Sequence, residues 1–236
     1  MTYTSEYPIF YVTVDMAILT IRDEALCALV VKRGGEPFKG CWALPGGFVE
    51  HDETLHDAAA RELEEETGVA TAEVAMEQLA TFGDPDRDPR ARVVSVAWLA
   101  VVPEDVTPLA GSDASEATWK PVDWLLSRRR LAFDHADILE QALERTRSKL
   151  EYTPLAAAFV ADEFTVADLR RVYEVVWGHE LDPGNFHRKV TGSPGFVTAT
   201  GRTRSAGPGR PAELFRAGDA DALYPPLTRR SLGSSA

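Results

Sequence analysis

The chain has 236 residues, a net charge of −12 and 44% hydrophobic residues. That length suits two compact domains of unequal size better than one, and the apolar share is that of a folded, soluble protein. The longest apolar run, Val93 to Val102, is too short to span a membrane, and the opening residues lack the basic and apolar parts of a signal peptide. Cys27 and Cys41 are the only cysteines and have no ligand spacing, so they are expected to be reduced core thiols in a cytoplasmic protein.

Charge is unevenly spread. Residues 1–150 carry 27 acidic and 15 basic side chains, whereas residues 151–236 carry 10 of each. Within the second part, Asn185 to Arg216 holds six basic residues and one acidic residue, Glu213. An acidic front half suits metal binding, and a basic patch behind it suits a polyanion, so the two parts are expected to meet different partners.

In chain order, Tyr7–Ile21 and Ala25–Lys32 are rich in Val, Ile and aromatics and predict two strands parted by a turn at Arg22-Asp23-Glu24. Cys41–Leu44 predicts a short strand ending at Pro45-Gly46-Gly47. Thr54 to Thr67 predicts a helix, with Thr54 and Asp57 as a capping pair, Gly68 as its stop, and Leu55, Ala58, Ala59 and Leu63 as its apolar stripe. Strands are expected at Ala72–Thr81, Arg92–Val102 and Trp119–Val122, with a loop over Pro103–Thr118. Asp134–Leu150 predicts a helix, and the composition changes after it, placing a domain boundary near Leu150.

Beyond that boundary Thr165 and Asp168 form a second capping pair ahead of Leu169, Val172, Tyr173, Val176 and Trp177 at helical spacing. Asp182-Pro183 opens another helix. Phe196–Arg204 and Glu213–Arg216 can pair as a hairpin, and the tail from Tyr224 is expected to be loose. The expected domains are therefore 1–150, 151–223 and a tail, 224–236.

Glu62, Glu65 and Glu66 lie at i, i+3 and i+4, so they project from one side of the first helix and repel one another. Water can solvate such a face, or a hard cation can compensate it. Glutamate oxygens suit Mg²⁺ (or Mn²⁺), which completes its shell with water and phosphate. The full spacing is Gly47, five residues, Glu53, seven residues, Arg61-Glu62-Leu63, one residue, Glu65-Glu66, one residue, Gly68-Val69. It resembles the Nudix signature at every defined position. The resemblance implies an α/β fold, an α/β/α sandwich, over about Tyr7–Leu150, and water attack on a diphosphate.

Carried over position by position, Glu62, Glu65 and Glu66 would be metal ligands with the Gly47 carbonyl. Glu53 would organise the site or the attacking water, and Arg61 would orient the glutamates. Phe82 to Arg90 contains Arg87 and Arg90 and could hold phosphates or be a salt-laced turn. It resembles the matching loop of ADP-ribose-handling Nudix proteins, which makes Phe82, Arg87 and Arg90 candidate substrate residues. Phe133-Asp134-His135 recurs in that group, although His135 alone reads as a helix-start residue.

In the second domain Asn185, Arg188 and Lys189 share one side of a short helix, while Phe186 and Val190 share another. This is the layout of a recognition helix, with Arg suited to guanine or phosphate and Asn to adenine. Arg202, Arg204 and Arg210 lie on the hairpin and its rigid tip, suited to phosphate or a minor groove. The arrangement resembles a winged helix-turn-helix. Together with the front domain, it resembles the NrtR-type regulators of NAD metabolism. That resemblance implies an ADP-ribose sensor, operator DNA as a partner, and a homodimer. Many such regulators have an eroded box, whereas this box is intact. A DNA-binding regulator and an ADP-ribose pyrophosphatase with an accessory domain are both consistent with the residues.

Overall fold

The computed structural model describes residues 7–68, 74–108, 114–127, 130–205 and 211–229. The chain divides into two compact units, one of residues 1–18, 28–100 and 107–141, the other of 19–27, 101–106 and 142–236.

Seven strands form the large sheet of the described residues. They are β1 (Tyr11–Arg22), β2 (Ala25–Arg33), β3 (Trp42–Ala43), β4 (Gly46–Phe48), β5 (Ala75–Phe82), β6 (Val93–Val101) and β7 (Ala114–Pro121). The order runs β3-β2-β1-β6-β5, with β4 also on β1 and β7 on β2. The near-continuous apolar runs of β1 and β6 are buried along most of their length, as central strands require. β4 is a strand where a glycine loop was expected, pairing Val14 with Gly47 and Asp15 with Gly46. β7 begins inside the segment expected to be a loop, and a short helix replaces the end of the expected strand at Val122. Pairing with β2 organises residues whose own strand signal is weak.

The helices of this part are α1 (Leu55–Thr67), α2 (Val122–Leu126) and α3 (His135–Tyr152). Thr54 and Asp57 form a reciprocal capping box at the start of α1. Ala58, Ala59 and Leu63 are buried, but Leu55 in the first turn is exposed, so the apolar stripe is shorter than its period implies. Cys27 is a buried thiol as expected; Cys41, just before β3, is exposed and is no core thiol.

In the second unit, a 3₁₀ turn at Pro154–Phe159 precedes α4 (Val166–Trp177), α5 (Pro183–Gly192), β8 (Val197–Arg204) and β9 (Ala212–Ala217). Thr165 and Asp168 cap α4 reciprocally, and Asp182 caps α5 with Pro183 in its first turn. The two helices bury a shared aromatic core: Tyr173 meets Phe186 at 5.2 Å and Trp177 at 4.9 Å. β8 and β9 pair antiparallel, and Phe164 bridges to Phe215. Part of the expected tail is tied back, since Leu227 N–H donates to Glu151 O at 2.8 Å and its side chain is buried. Among the described residues no helix is long and apolar enough to cross a membrane.

Candidate functional site

The first unit contains a cleft of about 850 Å³, lined by Gly47, Arg61, Glu62, Glu65, Glu66, Arg87 and Arg90 among others. The site starts with Gly47. Its backbone lies so close to Glu62 that a Cβ there would collide with Glu62 Oε1, so glycine lets the carboxylate stand where it does.

Arg61 gathers the acids around it. Its Nε and Nη2 donate to Glu53 at 3.1 and 2.8 Å, and its Nη1 donates to Glu62 at 2.8 Å. Glu65 lies 3.7 Å from the same Nη1. Glu53 Oε1 also accepts from Glu50 N–H at 2.7 Å. The Arg61 hydrogen bonds hold the Glu53 carboxyl below its ordinary value. Burial pushes Glu62 up despite Arg61.

Glu66 is different. It is buried, its Oε2 has no hydrogen-bond partner, and burial together with Glu62 and Glu65 pushes its pKa up to about 7. Among the described residues no three His, Cys, Asp or Glu side chains are gathered as a ready metal cage. The orphaned Glu66 oxygen beside two further carboxylates nevertheless fits a hard divalent cation.

Behind the carboxylates lies a buried polar network that the sequence only hints at. Arg87 donates to Asp134 at 2.8 and 2.7 Å and to Asp15 at 3.0 Å. Burial opposes its charge, but Asp134 and Asp15 keep the guanidinium protonated. Ser95 Oγ donates to Asp15 at 2.5 Å. His135 Nδ1 accepts from Leu44 N–H at 2.9 Å, which leaves the proton on Nε2, 3.5 Å from Asp15. Arg87 is thus committed to two carboxylates rather than held open in the cleft. A lone acid in the apolar run of β1 is the one sequence signal that could have found Asp15, since a buried charge demands a partner.

Arg90 pairs with Asp88 at 2.7 Å and stands over the rings of Phe133 and Phe48 at 5.6 and 5.9 Å. Arg33 stands over Phe133 at 4.8 Å, and Phe38 meets Phe133 edge-on at 4.8 Å. Phe38 and Phe133 have φ of 62° and 53°, a left-handed conformation that is costly for aromatic residues and concentrates at functional sites. Arg33 and Phe38 were not among the sequence candidates, and Phe133 entered only through the recurring Phe133-Asp134-His135, because backbone strain leaves no mark in composition. Phe82, at the end of β5, is not one of the cleft-lining residues.

The basic candidates of the second unit divide into two groups. On α5, Asn185 Oδ1 accepts from Arg188 Nη2 at 2.7 Å, while Phe186 and Val190 are fully buried. Arg188 is exposed and Lys189 half-buried on the outer side. On β8, Arg202 pairs with Glu163 and Arg204 with Asp168. Arg210 lies outside the described residues.

The NUDIX domain family matches residues 11–142, and the NrtR DNA-binding winged helix domain matches residues 156–217. The chain is 37% identical to an ADPR responsive transcriptional repressor, NtrR, of Acinetobacter baylyi, over 90% of this chain and 84% of that protein. It is 43% identical to an ADP-ribose pyrophosphatase of Methanocaldococcus jannaschii, over 48% of this chain and 63% of that one. The crystal structure of Shewanella oneidensis NrtR matches with a TM-score of 0.80 and 32% identity, covering 92% of this chain and 99% of that one. The same protein bound to a 27mer DNA matches at 0.75 with 32% identity, over 87% and 93% of the two chains. Its Nudix domain bound to ADP ribose matches at 0.50 with 35% identity, over 59% and 90%. With both domains matched in order along one chain, the protein belongs to the Nudix family and, within it, to the NrtR proteins that carry a winged helix.

Proposed function

We infer that this protein is an ADP-ribose-responsive transcriptional repressor of NAD metabolism, whose first unit binds and hydrolyses ADP-ribose and whose second unit binds operator DNA. The observation that carries the reading is one chain holding both an intact carboxylate helix beside a deep cleft and a helix-turn-helix with a basic outer face. The Acinetobacter repressor and the two liganded forms of Shewanella NrtR support both partners. The alternative, a pyrophosphatase with an accessory second domain, is favoured by the complete set of Glu53, Arg61, Glu62, Glu65 and Glu66.

Glu62, Glu65 and Glu66, with the Gly47 carbonyl, would hold Mg²⁺ or Mn²⁺. When bound, such a cation neutralises the diphosphate and makes water more acidic. Arg61 keeps Glu53 and Glu62 in register, so that neither swings out of the cleft. Burial and the neighbouring carboxylates push Glu66 up to about 7 while no cation is held, and a bound cation would favour its ionised form. Phe133 offers an aromatic ring for the base at the cleft, with Phe38 packed edge-on against it, and Arg90 and Arg33 bring positive charge beside it. On α5, Arg188, Lys189 and Asn185 would meet the major groove, with Arg202 and Arg204 of β8 flanking it, and Arg210 is a further candidate phosphate contact from its sequence alone. Ile9, Phe10, Tyr11, Val12 and Phe48 are exposed around the start of β1 and the end of β4, and this apolar surface supports a homodimer.

The deciding experiment measures ADP-ribose hydrolysis with Mg²⁺ and DNA retention for the native protein, Glu66→Gln and Arg188→Ala/Lys189→Ala. Glu66→Gln is expected to lose hydrolysis by about 100-fold or more while keeping DNA. The α5 variant is expected to do the reverse. Hydrolysis without any DNA binding by the native protein would establish the alternative.

A further inference from the structure

We propose that Glu163 is an acidic latch on the hairpin β8–β9, holding Arg202 and Arg216 in the free protein and yielding both to phosphates when DNA binds. The proposal rests on the DNA-binding reading of the second unit. It begins with backbone register. Phe164 and Phe215 exchange both backbone hydrogen bonds, at 3.0 and 2.8 Å. The next pair along that antiparallel bridge is Glu163 and Arg216, whose side chains fall on one face. Arg216 meets Glu163 Oε1 through Nε at 3.1 Å and Nη2 at 2.8 Å.

Arg202 reaches the same Glu163 oxygen from β8. It does so because the ladder slips between Ala199 and Thr203. Gly201 sits in the slip with φ of 73°, a conformation open to glycine. Thr200 Oγ1 secures it, donating to Leu214 O at 2.9 Å and accepting from Arg202 N–H at 3.2 Å. Such a bulge re-aims a side chain, here toward Glu163.

The exposures are unequal in a telling way. The Glu163 side chain is 18% exposed, while those of Arg202 and Arg216 are 61% and 62% exposed. The acid is sunk beneath two cations that face water. Phosphate oxygens and a carboxylate compete for the same forked donors, and exposed ion pairs are weak enough to be exchanged. Asp168, which holds Arg204, already serves the α4 cap. Among the described residues, Glu163 has no such task at a helix end. Its effect is to lower the charge that the hairpin presents to DNA at large, leaving relatively more of the binding to the recognition helix.

The test measures binding to a fluorescein-labelled duplex of mixed sequence by anisotropy across a potassium chloride series, using the full chain. Glu163→Gln is expected to bind about three- to tenfold tighter at low salt, with a log–log salt slope steeper by about one to two, the value of one or two extra phosphate contacts. The loss from Arg202→Gln is expected to be larger in the Glu163→Gln background than beside native Glu163. Glu163→Ser gives the same cycle should the glutamine variant not fold. Unchanged affinity and slope in the Glu163 variants, with Arg188→Ala still weakening the native protein, would overturn the latch and leave the DNA reading standing. Weaker binding by a folded Glu163 variant would also overturn it. Absence of duplex binding by the native protein and by every Glu163 variant would overturn the DNA reading and the latch with it.

Discussion

Glu66 and His135 show two ways in which burial sets the charge of one group. Glu66 has an unpaired buried oxygen and neighbours of its own sign, so its carboxyl rises to about 7 and a cation is the natural remedy. His135 is buried with its Nδ1 already accepting from Leu44, and burial, outweighing Asp15, holds its pKa below the ordinary value. The unfolded chain therefore takes up the proton first. His135 contributes stability that is complete above pH about 6.5 and is lost as the pH falls below it. His135→Asn retains an acceptor for Leu44 N–H without the titrating ring. In thermal melts between pH 5 and pH 8, the native protein is expected to lose more stability on acidification than the variant. Equal pH dependence in the two proteins would exclude His135 as the source.

α1 and α4 are built on one plan, each opened by a Thr and an Asp three residues later. The first places three glutamates over a cleft; the second supports the aromatic core of the helix-turn-helix. In α4, Thr165 Oγ1 accepts from Asp168 N–H at 3.1 Å, and Thr165 N–H donates to Asp168 Oδ2 at 2.8 Å. Removing the hydroxyl with Thr165→Ala is expected to cost about 1 kcal/mol. For a protein of this size that lowers Tm by about 2–4 °C, measurable by calorimetry. ADP-ribose hydrolysis is expected to be unchanged. These caps were readable in advance because a capping box is a local, four-residue pattern. β4 and β7 were not, since Gly46–Phe48 and Ala114–Thr118 become strands only by pairing with β1 and β2.

For the molecule as a whole, the proposed homodimer would present two recognition helices to two half-sites. The exposed apolar patch of Ile9 and Phe10, just before β1, would gain from such association by excluding water. Ile9→Asp with Phe10→Asp is expected to shift the protein to a monomer in sedimentation and to weaken operator binding by at least about tenfold through lost bivalency. ADP-ribose hydrolysis per chain is expected to persist if the cleft is complete within one copy. A variant that stays dimeric would move the interface elsewhere.

Much of the chemistry is written in short spacings. Glu62, Glu65 and Glu66 at i, i+3 and i+4, the caps of α1, α4 and α5, and the opposed faces of Asn185–Val190 follow from helix geometry alone. The two-domain order was legible for the same reason, because each motif is contiguous. The long-range groupings were not. Asp15 and Arg87 meet across 72 residues, and Glu163 and Arg216 across 53. The left-handed turns at Phe38 and Phe133 bring their rings together only in the folded chain. Such meetings depend on strand order, register and burial, which no local period encodes. Folding therefore turned Arg87, a candidate ligand contact in the sequence, into the buried partner of Asp15 and Asp134, and set Arg202 against Glu163.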